Sequence, residues 1–439
     1  MIPQLQQEAP VAPPQAVEQW SPAKKIAFRF IFSYFILYVY PRSVGSLGAF
    51  VKYNNPLKDM WHAVVPWVGA NILHLSGDFT EIANGSGDQL YDYVLLFCIA
   101  VTALIAAAVW SVVDRKRPNY VTLYGWLRLF MRIVIAVAMI SYGANKLWRM
   151  QFAEPMLQRY IDTFGQTSPM GLLWAMMGTS RAYSFFGGVG EMAGGLLLLV
   201  PDFTALGALV TAGVMTNVLM LNFCYDVPRK IYCLHLIAFC IFLLLPDLRR
   251  LADFFLFRRR TQLSPTPPLF QDKYFNYSVA ALQVIIGIAA LIICGQQAAR
   301  DAAKEAVKIQ GPLRGIWAVD EFSTDGATRL PLITDTTRWQ DIVFDAPDQA
   351  TVRFMDGSLK EYYMQWDPAN HTITLWDTAH PHWKSVLNYT LEGDKLTLDG
   401  NLGSSPATAK TTRVDLSDPV KFLLINRGVH WVTDYPHNR

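Results

Sequence analysis

The sequence is poor in the residues that most binding and catalytic signatures require. Charged residues make up 17% of the 439 positions, and the formal net charge is +3. The chain has no Walker loop, no G-x-G-x-x-G turn and no basic stretch with interleaved aromatic residues. These absences leave no motif for nucleotide binding, and they predict that the protein has no nucleic-acid partner.

Metal and haem ligands are also scarce. His380-Pro-His382 is the only spacing typical of a metal site. Two ligands do not complete such a site, so we predict no metal centre. His235 is the only histidine inside a clear apolar run, which excludes a bis-histidine haem.

The five cysteines lie in or beside apolar runs, at positions 98, 224, 233, 240 and 294. Cys224 and Cys233 flank a short turn and could form a disulfide in an oxidising compartment. The alternative is that they are small hydrophobic residues, as buried cysteines usually are. No cysteine follows position 294, so no disulfide can hold the last third of the chain together.

Apolar residues are abundant, at 52% of the chain with a mean hydropathy of +0.20. Seven apolar runs are long enough to cross a bilayer. They cover residues 26–41, 91–113, 126–147, 183–200, 203–224, 231–247 and 275–295. With seven crossings, the basic clusters at Lys24, Arg115 and Arg258 all lie on one side. The positive-inside rule then predicts an inner-membrane protein with a cytoplasmic N-terminus and an extracytoplasmic C-terminal domain.

The pattern changes after residue 310. Residues 311–439 alternate apolar and polar positions, with hairpin turns at Asp356-Gly357 and Gly393-Asp394. We therefore predict an all-α polytopic membrane bundle of about seven transmembrane helices, followed by a small antiparallel β-barrel of eight or nine strands. The predicted regions are a disordered tail (1–23), two helices with an external amphipathic segment (24–125) and a four-helix core (126–250). A seventh helix with a stalk (251–310) and the external β domain (311–439) follow.

Glu191 is the residue around which the predicted site is built. It lies in the glycine-rich run 183–200, where a carboxylate costs ~3 kcal/mol to insert and needs a partner, a proton or water. Gly190 and Gly194 have the small-xxx-small spacing that lets helices approach closely. A structural glutamate that is protonated or paired is the alternative to a functional one.

Basic and polar side chains of neighbouring runs complete the predicted site. Arg132 and Lys146 lie within about 40° of one helix face and bracket the depth of Glu191. We predict that Arg132 pairs with the carboxylate and that Lys146 meets a ligand or a proton. A snorkelling side chain is the alternative for Lys146. Asn217 and His235 are candidate cofactor-binding residues, although helix–helix hydrogen bonding also explains an asparagine.

These motifs resemble the DoxX-like family of membrane proteins. The run from Arg132 to Gly143 and Lys146 is similar to that family's first core helix. Gly190-Glu191, with the following glycines and leucines, is similar to its second helix, and the run 205–217 to its third. The resemblance covers residues 126–250. It implies a four-helix membrane core and, for one branch of the family, thiosulfate:quinone oxidoreduction.

The C-terminal region resembles lipocalin-like barrels. Gly315-Ile316-Trp317 is similar to their G-x-W opening strand, and Arg427 is predicted to pack on Trp317 as their late arginine does. The resemblance implies a cup that holds an apolar ligand. The alternative is a filled barrel that acts as a structural or docking cap.

Three functions fit this sequence. The one we predict is a quinone-linked membrane oxidoreductase component, with Glu191, Lys146 and Arg132 as catalytic groups. Its partners would be the bilayer, a quinone or lipid, and an external redox protein. The second is a membrane-anchored module that binds a lipid or small apolar ligand without catalysis. The third, a proton-coupled transporter, is the weakest because no inverted repeat is visible.

Overall fold

The computed structural model describes residues 19–40, 56–77, 80–82, 85–261, 272–309, 311–377, 380 and 383–428. Most of the predicted disordered tail, parts of the external segment and His382 lie outside the described residues. The chain divides into two compact units. The first comprises Met1–Tyr142 and Gly190–Leu291, and the second comprises Gly143–Val189 and Ile292–Arg439.

Helices form nearly all of the regular structure before residue 310. They are α1 (Pro22–Val39), α2 (Pro56–Asn71), α3 (Leu90–Val113), α4 (Val121–Leu147), α5 (Pro169–Thr179), α6 (Arg181–Leu199), α7 (Thr204–Cys224), α8 (Lys230–Leu244), α9 (Leu248–Phe255) and α10 (Lys273–Ile309). Local chemistry sets several ends. Ser21 caps α1 by accepting a hydrogen bond from the Lys24 N–H, and Pro22 occupies the first turn, where a missing N–H costs nothing.

Five stretches are long and apolar enough to cross a membrane, which indicates membrane insertion. They are α3, α4, α6, α7 with its preceding turn, and α10; α8 and α9 would make a sixth across a bend of 83°. The predicted count of seven is not confirmed, because α1 does not belong to this set. Its 18 residues include Lys24, Lys25 and Arg29, which lower its apolar character.

The basic residues of α1 bind the end of α3. Arg29 is buried; its Nη1 donates to Ser111 Oγ (2.8 Å) and its Nε to the Tyr120 hydroxyl (3.0 Å). Lys25 Nζ donates to the Arg117 carbonyl (3.2 Å). These bonds hold the N-terminal end of α1 and the C-terminal end of α3 at the same end of the first unit.

Glycines bring α6 close to its neighbours in the first unit. A Cβ atom at Gly195 would lie 2.9 Å from the Ala136 carbonyl oxygen of α4. One at Gly194 would lie 2.5 Å from Thr211 Oγ1 of α7. Both distances are too short for a side chain, so only glycine permits this packing. The close helix approach predicted around Glu191 is therefore present.

The second unit contains an antiparallel β-barrel. Its strands are β1 (Gly315–Thr324), β2 (Ala327–Thr328), β3 (Trp339–Ala346), β4 (Gln349–Phe354), β5 (Leu359–Asp367), β6 (Thr372–Trp376), β7 (Lys384–Glu392), β8 (Lys395–Leu402) and β9 (Ser405–Arg413). Strands β3 to β9 pair in sequence, and β1 pairs with both β3 and β9. This closes eight strands, while the two-residue β2 pairs only with the end of β1. The predicted antiparallel barrel is confirmed.

Large side chains fill the interior of the barrel. Alternate residues of each strand point inward, as the period of two requires. The buried cluster that they form includes Trp317, Phe322, Trp339, Ile342, Phe344, Val352, Tyr362, Met364, Ile373, Leu375, Leu387, Leu396 and Leu398. This packing favours the filled-barrel alternative over an apolar cup.

Trp317 closes the barrel at the end where the chain enters. Its Nε1 donates to the Leu313 carbonyl (2.8 Å), and the Arg413 guanidinium lies 4.4 Å from the ring centroid. The prediction that Arg427 packs on Trp317 is wrong. The last strand ends at Arg413, and Arg427 follows a short helix, α11 (Leu423–Asn426). The hairpin of β8 and β9 brings Arg413 beside β1 instead.

A segment between α4 and α5 lies on the outer face of the barrel, within the second unit. Leu157 packs with the outward-facing Ile316 and Val343, all three buried. The Leu157 N–H donates to Asp345 Oδ2 (2.7 Å), and Arg353 Nη1 donates to the Ile161 carbonyl (2.9 Å). This segment therefore covers an apolar patch on the outside of the barrel.

Candidate functional site

Glu191 lies in the middle of α6 with only 1% of its surface exposed. Gly194, one turn further along the helix, meets Thr211 of α7 so closely that no side chain fits. The carboxyl group is therefore enclosed by tightly packed helices. Burial of this kind is costly for a carboxylate unless charges or hydrogen-bond donors compensate.

One tyrosine of the first unit interacts with this carboxyl group, and a second tyrosine contacts the first. Tyr142 is within electrostatic range of Glu191, and also of Arg229 and Cys233. The rings of Tyr142 and Tyr232 are 5.7 Å apart between centroids. Neither tyrosine was among the predicted site residues, although Tyr142 lies one helical turn before Lys146 in the sequence.

Cys233 lies within electrostatic range of both tyrosines, and Asn222 bonds to it. We call Glu191, Tyr142, Tyr232, Cys233 and Asn222 the polar cluster. Asn222 Nδ2 donates to Cys233 Sγ (3.2 Å), and both residues are buried. None of the five cysteines forms a disulfide. The possible disulfide between Cys224 and Cys233 is not formed; Cys224 is exposed, and Cys233 bonds to Asn222 instead.

The start of α8 is held by a residue distant in sequence. Asp88 accepts hydrogen bonds from the Lys230 N–H (2.8 Å) and the Ile231 N–H (3.0 Å). A carboxylate at this position satisfies the free amides of a helix N-terminus and interacts favourably with its dipole. Asp88 thereby fixes the helix that carries Tyr232, Cys233 and His235.

His235 binds two tyrosines of α1. Its Nδ1 lies 2.8 Å from the Ile231 carbonyl oxygen, which can only accept, so Nδ1 carries the proton. Nε2 therefore accepts the hydrogen bond from the Tyr34 hydroxyl (2.9 Å). The Tyr38 ring stacks on the imidazole at 3.7 Å with an interplanar angle of 6°. Tyr34, Tyr38 and His235 therefore form a second aromatic cluster in the first unit, besides the Tyr142–Tyr232 pair.

Of the other predicted site residues in the first unit, Arg132 is buried and Asn217 is exposed. Arg132 Nε donates to the Leu198 carbonyl (2.9 Å). Leu198 lies seven residues beyond Glu191 on α6, so this bond does not engage the carboxyl group. Asn217 lies on the exposed side of α7, whereas Asn222 of the same helix is buried in the polar cluster.

Lys146 belongs to the second unit and is buried there. It is 6% exposed, and Nζ lies 5.8 Å from the centre of the Phe152 ring. A Cβ atom at Gly188 would lie 3.0 Å from Lys146 Cβ, so the lysine stem packs directly on the backbone of α6. The side chain is therefore far more enclosed than a lysine that snorkels into water.

Within the part of the chain that the structure describes, no group of three His, Cys, Asp or Glu side chains could hold a metal ion. His380 Nδ1 lies 2.9 Å from Asp377 Oδ2, and Lys360 Nζ lies 3.1 Å from the same oxygen. Burial lowers the pKa of Lys360, but the hydrogen bond and charge of Asp377 together with Tyr362 outweigh it, and the pKa is raised. This cluster is an ion-pair network at the far end of the barrel.

Comparison with known proteins finds a relative of unassigned activity. Over 126 residues the chain is 30% identical to the "Uncharacterized protein YwoB" of Bacillus subtilis (strain 168). The match covers 28% of this chain and 79% of that protein. No protein-family model and no solved structure matches the chain.

Proposed function

The chain belongs to the same family as YwoB of Bacillus subtilis, and we propose that it is a membrane protein that exchanges protons with a bound quinone at Glu191. One observation carries the proposal: Glu191 is 1% exposed and lies within electrostatic range of Tyr142. An ionisable group at such a position in a membrane bundle is functional by default, because its burial is costly.

The neighbours of Glu191 support proton exchange. The Tyr142 hydroxyl can donate to or accept from a carboxyl group, and Tyr142 contacts Tyr232 in turn. A proton that moves along Glu191, Tyr142 and Tyr232 leaves no isolated charge in the bundle. Reduction of a quinone to a quinol takes two electrons, which the external redox protein would supply, and two protons, so a quinone site needs a group that can deliver protons.

The aromatic residues of the first unit support a ring-shaped ligand. The Tyr142–Tyr232 pair and the Tyr34–His235–Tyr38 stack offer flat apolar faces. Hydroxyl groups of the same residues can donate to quinone carbonyls. In this proposal Glu191 holds the proton, Tyr142 and Tyr232 orient the ring, and His235 fixes Tyr34. Arg132, which bonds to Leu198, is not among the reacting groups.

The sidedness of the protein is part of the proposal. The bond from Lys25 to Arg117 joins two of the basic clusters at one end of the first unit. Arg128 Nη2 donates to the Leu243 carbonyl (3.2 Å), so the end of α8 and the arginines after it approach the start of α4. Basic clusters at one end favour that end as the cytoplasmic one. Because α10 is long enough to cross the membrane once between the arginines that follow α9 and the barrel, we assign the barrel to the extracytoplasmic side, as a docking cap for an external redox protein.

Two other functions have less support. A barrel that holds a lipid needs an open interior, whereas the inward-facing side chains here form one buried cluster. A proton-coupled transporter needs broken helices at a central site. Among the described residues one helix pair is bent, α8 with α9, and its bend lies near the end of α8, beyond the polar cluster.

Mass spectrometry of small molecules extracted from the purified full-length protein tests the proposal. The wild type should retain a quinone, and Glu191→Gln should retain much less. Glu154→Gln makes the same chemical change at an exposed position and should resemble the wild type. Equal quinone in all three proteins, or none in the wild type, would contradict the proposal.

A further inference from the structure

Two arginines one turn apart on α4 bind the ends of two other helices. Arg132 Nε donates to the Leu198 carbonyl near the end of α6 (2.9 Å). Arg128 Nη2 donates to the Leu243 carbonyl near the end of α8 (3.2 Å). Carbonyls in the last turn of a helix have no partner within the helix and carry the negative end of its dipole, so arginine suits this position.

Each guanidinium keeps a buried N–H group that these bonds do not use. Arg132 is 8% exposed, and neither its Nη2 nor Arg128 Nε makes a hydrogen bond among the described residues. Buried donors almost always have an acceptor, and a charged donor without one is especially costly. Both groups therefore call for an acceptor oxygen.

The local charge is also unbalanced. Arg128 and Arg132 repel each other, as like charges four residues apart on a helix do. Asp202 attracts Arg132, but its side chain is exposed. Asp247, which lies near Tyr124, already accepts a bond from Arg250 (2.7 Å). The remaining positive charge favours a bound anion.

The surroundings indicate which anion this is. After the 83° bend, α9 and the residues that follow it expose Phe254, Phe255, Leu256 and Phe257, by 58%, 67%, 75% and 60%. Arg258, Arg259 and Arg260 come next and are exposed as well. Aromatic and aliphatic residues beside arginines are typical of a segment that lies in the headgroup region of a membrane.

We propose that Arg128 and Arg132 bind the phosphate group of an anionic phospholipid. Two guanidinium groups on one helix face offer the fork-shaped donors that phosphate oxygens accept. The exposed segment 254–260 would meet the headgroup region beside the site. A bound phosphate would satisfy the two buried donors and balance the paired positive charge.

Native mass spectrometry of the full-length protein with added phosphatidylglycerol or phosphatidylcholine tests this site. The wild type should retain one phosphatidylglycerol about ten-fold more tightly than phosphatidylcholine. Arg128→Gln and Arg132→Gln should lose this preference. Arg249→Gln removes the same charge from an exposed position at the same end and should keep it. Loss of the preference in Arg249→Gln to the same degree would show a general effect of charge and overturn the proposal.

Two further arms complete the test. Arg132→Lys keeps the charge and can still reach the Leu198 carbonyl, so it should fold and yet bind phosphatidylglycerol about ten-fold more weakly. Inorganic phosphate alone should raise the melting temperature less than the lipid does. Equal stabilisation by phosphate would identify a free phosphate as the ligand and overturn the lipid assignment. Unchanged binding in Arg132→Lys and Arg128→Gln would overturn the site itself.

Discussion

At the scale of single residues, the barrel depends on one arginine that stacks and donates at the same time. Arg413 lies over Trp317 and donates to the carbonyls of Pro312 and Arg314. Lysine cannot reproduce both a flat stack and several directed bonds. This geometry makes Arg413, rather than Arg427, the residue that secures the point where the chain enters the barrel.

We therefore predict that Arg413→Lys destabilises the barrel by about 1–2 kcal/mol. Amide exchange in β1 and β9 of the full-length protein should become about 5- to 30-fold faster. Arg427→Lys is the matched control, because Arg427 lies outside the strands, and its exchange rates should equal those of the wild type. Equal rates in both variants would contradict this account of Arg413.

Asp335 gives a prediction about pH. Bonds from the side chain and amide of Thr337 lower the pKa of Asp335 to about 2. Because the folded pKa lies below the unfolded one, the ionised form stabilises the fold. This contribution is complete above about pH 4 and is lost as the pH falls towards 2.

The melting temperature of Asp335→Asn should accordingly fall below that of the wild type at pH 5, and the difference should shrink towards pH 2. Asp348→Asn, a change at an exposed position between β3 and β4, is the control and should show a much smaller difference. A difference for Asp335→Asn that is the same at both pH values would disprove the role of its ionised form.

At the scale of elements, the apolar runs predict the helices well. Runs 91–113 and 203–224 correspond to α3 and α7 within a residue or two, because charged residues, proline or glycine end each run. The run 231–247 extends three residues past the end of α8 at Leu244, into the bend before α9. Alternation and turn residues likewise predict the antiparallel barrel.

Partners far apart in sequence could not be predicted in this way. The Tyr34–His235 bond joins residues 201 positions apart, and Asp88 caps α8 across 142 positions. Neither pair has a short motif or a fixed spacing. The docking of Leu157 on β1 and β3 was missed for the same reason, because Ile316 and Val343 resemble core residues of the strands.

The close packing of α6 against α7 leads to a testable prediction about these two helices. A Cβ at Gly194 would lie 2.5 Å from Thr211 Oγ1, whereas nothing lies within 4 Å of one at Gly213. Gly194→Ala should therefore separate α6 from α7 and cost about 1–3 kcal/mol. Gly213→Ala should leave the melting temperature in detergent unchanged or slightly higher. Equal melting temperatures for the two variants would show that α6 and α7 do not pack in this way.

At the scale of the whole molecule, the second unit joins the barrel to the segment that follows α4. Leu157→Ser removes the apolar contact with Ile316 and Val343, and we expect protease cleavage within residues 150–168 to become faster. Leu330→Ser is the control, because Leu330 is 68% exposed in a loop. Unchanged cleavage in Leu157→Ser would mean that this segment does not depend on the barrel.

The docking of this segment also affects whether the β domain can fold and stay soluble by itself. Without residues 143–189, Ile316 and Val343 would be exposed on its surface. The strands and turns of residues 311–428 still predict that this part of the chain folds as a barrel. The solubility of the isolated β domain therefore depends on this outer patch more than on the strands.

The central claim is that the carboxyl group of Glu191 serves a bound quinone. A water-soluble benzoquinone analogue, titrated against the melting temperature of the full-length protein in detergent, tests it most directly. Wild type and Glu154→Gln should be stabilised with the same midpoint. Glu191→Gln should need at least about ten-fold more analogue, the equivalent of ~1.4 kcal/mol. Identical midpoints for Glu191→Gln and the wild type, or no stabilisation of any protein, would contradict the claim.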